Sequence, residues 1–149
     1  MIQQIYIHIL TPILAALVMN GIIFSQGWKI AKYKNPNPYI PPGGIVGLIW
    51  ITLFGLLGYV HYRLYSENKN RSTAASIAIV LFILYSLAYP IITTFSSNPN
   101  AFSVLNLGAL LFAAATTGLV YQENVALVPY MAPLMVWTSY VNLVTMLQD

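Results

Sequence analysis

Cysteine is absent from the 149-residue chain, and charge is nearly so, at 6% Asp, Glu, Lys and Arg against about 25% in a soluble domain. Without cysteine there is no disulfide framework, no thiolate nucleophile and no thiolate metal site, and redox chemistry names no compartment. With 58% hydrophobic residues, a soluble fold would expose apolar patches far beyond the few hundred Å² that soluble monomers tolerate. The chain therefore reads as an integral membrane protein, in a membrane that the sequence does not specify. The three carboxylates, Glu67, Glu123 and Asp149, fall at the ends of apolar runs or at the terminus, so no buried acid pair is at hand for general acid and base work. Arg63 falls at the very end of its apolar run and no charged residue is expected to be buried within one, which removes the usual mark of a proton relay or ion pathway and argues against a pump. The six basic residues divide between two connections and line no groove, so no nucleic-acid partner is expected. His8 and His61, the only histidines, each fall near a helix end. Read as isolated interfacial residues without a carboxylate cluster, they make a poor metal site, and none is expected.

What the chain does have is five apolar runs, roughly 5–24, 45–65, 73–94, 101–121 and 125–147, each close to the ~20 residues that cross a bilayer core. A helix satisfies its own backbone in hydrocarbon, so five transmembrane helices are expected. The N-terminus lacks the basic region and small-residue cleavage site of a secretory signal, and the first run is expected to be kept as a helix. Connections other than the first are short, which forces antiparallel neighbours. The fold class is all-α: a single five-helix membrane bundle over residues 1–149 with a long first loop, 25–44. Lys29, Lys32 and Lys34 fall on one side and Arg63, Lys69 and Arg71 on the other, a tie under the positive-inside rule.

Within the runs, Gly55 and Gly58 would let a neighbouring helix or a ligand approach the second helix closely. Tyr59, Tyr62 and Tyr65 read as an interfacial aromatic belt. Pro90 should kink or end the third helix, and Ala113-Ala114-Ala115-Thr116-Thr117-Gly118 gives the fourth a small-residue packing face. The first loop carries Pro36, Pro38, Pro41 and Pro42 before Gly43-Gly44. Prolines fix φ and stiffen it, the glycines allow a turn into the second helix, and its length suggests a structured lid rather than a spacer. Aromatic and neutral polar residues remain: Tyr39, Trp50, Phe54, Tyr85, Tyr89, Tyr130, Trp137 and Tyr140, with Asn20, Asn106 and Asn142. A pocket so lined suits a flat apolar ligand with a few polar groups, because aromatic faces stack and amides or hydroxyls orient it.

Pro38-Tyr39-Ile40-Pro41-Pro42-Gly43, followed by Gly47, Trp50, Leu53-Phe54 and Gly58-Tyr59, resembles the translocator protein family, also called tryptophan-rich sensory proteins. The Ala-rich run ending in Thr116-Thr117 and the spacing of Pro133, Trp137 and Tyr140 are similar to that family's fourth and fifth helices. The resemblance implies a five-helix bundle, often dimeric, with a pocket beneath the first loop that binds porphyrins such as protoporphyrin IX or haem, and in animals cholesterol. On this reading Tyr39, Pro41 and Pro42 form the lid, while Trp50, Phe54, Tyr89, Trp137 and Tyr140 line the cavity, with no cofactor required and membrane lipid around it. Tyr39 stands where the family has a loop tryptophan. No Lys or Arg follows Tyr140, so the weak cholesterol pattern is absent and a porphyrin is favoured over cholesterol. The resemblance also implies light-dependent porphyrin breakdown as an alternative, with Trp50 and Trp137 as the reacting indoles. A further alternative, from the residues, is a membrane scaffold or assembly subunit whose aromatics only pack.

Overall fold

The computed structural model describes residues 2–30, 38–68, 72–98 and 100–147. Five long helices follow one another: α1 (Ile2–Gln26), α2 (Gly43–Glu67), α3 (Ala74–Phe95), α4 (Ala101–Glu123) and α5 (Val128–Met146), the last entered through a single 3-10 turn at Val125–Leu127. Each is long and apolar enough to cross a membrane, and together they make a multi-pass integral membrane protein. α1 packs mainly on α2, α4 stands between α3 and α5, and α2 also touches α3 and α5. The core runs along the middle of this arrangement through Leu57, Val60, Leu64, Ile79, Phe82, Ala113, Val120, Met131 and Leu134, all nearly inaccessible to solvent. Outward, Ile7, Leu10, Leu14 and Val18 of α1 and Leu81 and Leu84 of α3 are exposed, the surface a chain presents when its solvent is lipid.

The helix ends have identifiable causes. α1 stops at Gly27, which takes a φ of +62°. Its N–H bonds the Phe24 carbonyl while the Trp28 N–H reaches back to Ile23 at 3.0 Å, the paired closure that a left-handed residue after a helix permits. Alanine there would carry the left-handed cost of about 1–2 kcal/mol. Gly27→Ala is therefore expected to lower the stability by about 1 kcal/mol in detergent unfolding and to change the emission of Trp28, which the turn positions. α3 opens on a capping box. Thr73 accepts from the Ser76 N–H at 3.2 Å and Ser76 accepts from the Thr73 N–H at 2.8 Å. Glu123, at the end of α4, accepts from the Ala75 N–H at 2.9 Å, a carboxylate at the positive end of a helix.

Two sequence expectations are decided here. Of the two effects expected of Pro90, ending the helix does not occur: α3 continues to Phe95, in keeping with the expected run 73–94. Proline removes only its own donor, and the Thr93 hydroxyl donates to the Tyr89 and Pro90 carbonyls at 2.9 and 3.2 Å. Gly43 and Gly44 do not form a turn before α2; they are its first residues, and Gly27 is the glycine with positive φ among the described residues. The first connection spans 27–42, and its segment 31–37, including the expected lid residue Pro36 and the cations Lys32 and Lys34, lies outside the described residues.

Candidate functional site

In the half of the bundle nearest the first connection, the helices part around a cavity of about 500 Å³, within the range of small-molecule sites. Every helix contributes to its wall. Met19, Asn20 and Ile23 come from α1, Val46, Gly47, Trp50 and Phe54 from α2, Tyr85, Ser86 and Tyr89 from α3, Phe102, Asn106 and Ala109 from α4, and Trp137, Thr138, Val141 and Asn142 from α5. Trp28, Ile40 and Pro41 close the end toward the connection.

Local sequence explains how each side chain gets there. Trp50 and Phe54 are one turn apart on α2, so they share a face, and their rings meet edge to face at 5.8 Å. Trp137 and Tyr140 are three apart on α5 and lie nearly parallel with centroids at 6.0 Å. Trp28 is held by the turn at Gly27 and stands edge-on to Phe95 at 5.3 Å. All three tryptophans of the chain thus border one cavity.

The polar groups are few and connected. The Asn106 Oδ1 accepts from the Tyr89 hydroxyl at 2.7 Å, its Nδ2 donates to the Thr145 Oγ1 at 3.1 Å, and its carbonyl accepts from the Asn142 Nδ2 at 2.8 Å. Asn142 also donates to the Thr138 carbonyl. This network joins α3, α4 and α5 through the buried side chains of Asn106, Asn142 and Thr145, and it gives the apolar cavity a polar edge. On the α1 side the Asn20 Nδ2 donates to the Gly47 carbonyl at 3.3 Å. An alanine Cβ at position 47 would lie 3.0 Å from that nitrogen, so glycine is what lets the amide reach the α2 backbone.

Six of the eight expected site residues line the cavity: Pro41, Trp50, Phe54, Tyr89, Trp137 and Tyr140. Tyr39 and Pro42 do not. Tyr39 is 65% exposed, and it is its carbonyl that meets α5: the Tyr140 hydroxyl donates to it and ties α5 to the chain entering α2. Pro42 is the residue before α2; it is exposed, and its carbonyl accepts from the Ile45 and Val46 N–H groups. Trp28 was not among the expected site residues, since an indole in a connection carries no periodic signal. Asn20, Asn106 and Asn142 were visible as neutral polar residues in apolar runs, a pattern that could have placed them in the site.

A second departure lies at the opposite end of α1 and α2. His8 and His61 are not isolated: their Nδ1 atoms are 2.7 Å apart, and Tyr62 and Tyr65 pack around His8 with centroids at 5.8 and 5.4 Å. Two of the three expected belt tyrosines therefore enclose this pair. Tyr59 meets Tyr130 at 5.0 Å and accepts a hydrogen bond from Arg63.

The cavity is apolar, aromatic and uncharged, and can bind by stacking and a few hydrogen bonds rather than by ion pairing. No curated protein and no solved structure matches the chain. A family model matches residues 8–147, so the chain belongs to the TspO/MBR family, a membership that supports a membrane receptor or transporter role toward a tetrapyrrole or sterol.

Proposed function

We propose that this protein is a membrane receptor or carrier for a porphyrin or similar flat lipophile, held in the intrabundle cavity. The observation that carries the reading is the placement of Trp50 and Trp137, from α2 and α5, on one apolar cavity that also presents Asn20, Asn106 and Asn142. Indole faces suit a planar conjugated ligand, and the amides suit its few polar substituents. A sterol, whose fused rings are largely saturated, offers those rings no conjugated face to stack on and is the less favoured ligand.

The test is a titration of protoporphyrin IX into purified protein, followed by tryptophan emission. Wild type should show saturable quenching. In the Trp50→Phe, Trp137→Phe double variant, Trp28 still borders the cavity and reports binding independently. Loss of stacking area should weaken affinity roughly tenfold, from about 0.5–1.5 kcal/mol per aromatic contact. An unchanged Kd in the double variant would remove these residues from the site, and the absence of saturable quenching in wild type would remove the porphyrin.

A second reading, light-dependent breakdown of the bound porphyrin, draws on the same two indoles beside one cavity. Illumination of the complex in air should then bleach the porphyrin absorption faster than in detergent alone and more slowly in the double variant. Equal rates with and without protein would exclude it.

A further inference from the structure

The histidine pair lies about two helical turns beyond Ala16 and Phe54, the cavity residues nearest to it along α1 and α2, and it plays no part in the proposed ligand site. We propose that His8 and His61 form a chelating site for a divalent transition cation such as Zn²⁺ or Cu²⁺, with the two Nδ1 atoms as protein ligands and water completing the shell.

Imidazole nitrogens bind such ions at about 2.0–2.1 Å, so two of them on one tetrahedral cation lie about 3.3 Å apart. The observed Nδ1 to Nδ1 separation is 2.7 Å, and small rotations of the two rings open it to that span without moving a helix. Convergence of two short side chains from different helices needs unusually close backbones, and Gly58 provides this: a Cβ there would lie 2.4 Å from the His8 carbonyl oxygen and 3.0 Å from the Ile9 Cα. The ligands therefore project from two helices whose separation is fixed at the backbone, which is the preorganisation a chelate needs.

The charge environment permits a cation. Arg63, the positive group nearest in sequence on α2, is engaged with Glu67 at 2.6 Å and with the Tyr59 hydroxyl at 3.0 Å. The rings beside the pair are those of Tyr62 and Tyr65, which carry no charge when protonated. Both histidines are half-buried and lie within two turns of an end of their helix, where interfacial water can fill the coordination positions that two protein ligands leave open. Neutral imidazole is a ligand that suits zinc, copper and nickel, and a metal replaces the single proton that two facing nitrogens would otherwise share.

The experiment uses the full chain in detergent, purified without a histidine tag. Its unfolding temperature is followed against added Zn²⁺, and the Cu²⁺-loaded protein is examined by electron paramagnetic resonance. The expected result is an unfolding temperature that rises with free Zn²⁺, as it must for an ion that binds the native state, together with copper hyperfine structure from two nitrogens at one ion per chain. The shift should vanish in His8→Gln and in His61→Gln, while protoporphyrin quenching in both variants stays at the wild-type level. A wild-type protein with no Zn²⁺-dependent shift and no two-nitrogen copper signal would overturn the site, as would a shift retained in both variants. Should either variant fail to fold, the wild-type copper spectrum decides alone.

Discussion

Gly58→Ala is expected to destabilise the bundle by about 3 kcal/mol, at the upper end of what overpacking a tight interior costs. The added methyl would lie 2.4 Å from the His8 carbonyl oxygen, 3.0 Å from the Ile9 Cα and 3.0 Å from the Pro12 Cγ. Two of these atoms are backbone and the third is on a ring closed onto the backbone, so no side-chain rotation relieves the clash and α1 must move away from α2. Gly55→Ala is the internal control. Its methyl would meet only the Ile13 Cδ1 at 3.3 Å and the Ile13 Cγ1 at 3.6 Å, a flexible side chain that can turn aside. The intrinsic helix preference for alanine over glycine, up to about 1 kcal/mol, offsets what remains, and Gly55→Ala should fall within about 1 kcal/mol of wild type. Thermal unfolding of the two variants in one detergent makes the comparison. Equal melting temperatures would show that the α1–α2 contact is not limited by position 58. Because the same displacement parts His8 from His61, Gly58→Ala should also lose the Zn²⁺-dependent stabilisation.

The second large effect is expected at Asn106, which is 5% exposed and bonds through its side chain to Tyr89 on α3 and Thr145 on α5. Asn106→Leu keeps the branched outline of the side chain, though with bulkier methyls, and removes both bonds. Interhelical hydrogen bonds in membranes average about 0.6 kcal/mol and reach about 1.7. Leucine also deprives the partly buried Tyr89 hydroxyl of this acceptor, which adds to the cost. The expected loss is about 2 kcal/mol. A double-mutant cycle with Tyr89→Phe separates the bond from general packing. If the Tyr89 to Asn106 bond matters, the double variant is less destabilised than the sum of the singles by roughly 0.5–1.5 kcal/mol. Strict additivity would mean that the bond contributes nothing. Tyr89 borders the cavity, so a change in protoporphyrin affinity is expected in both single variants.

Particular residues show what could be read in the chain and what could not. The five helices and their membrane setting follow from the length and apolarity of the runs, because a segment in hydrocarbon has no other way to satisfy its backbone. Trp50, Phe54, Trp137 and Tyr140 were legible as cavity residues through helical spacing and the family resemblance. Tyr39 was not, because whether its ring or its carbonyl faces inward depends on the Tyr140 hydroxyl 101 residues away. Pro42, expected in the lid, stands directly before the first turn of α2, a position that depends on where the helix starts and that the loop sequence alone does not fix.

The histidines mark the limit most clearly. His8 and His61 are separated by 53 residues and show no motif spacing, so along the sequence they were two solitary interfacial residues. Their meeting depends on the register of α1 against α2, set where Gly58 admits the α1 backbone. Sequence alone determined the number of helices, the membrane setting, the uncharged interior and the aromatic character of the residues that line the cavity, because each follows from composition and local periodicity. Only the tertiary structure decided that Trp28 joins that cavity, that Asn106 links three helices and that two histidines touch. Those are contacts between distant segments, and they are fixed by the close packing of helices rather than by any preference of the residues themselves.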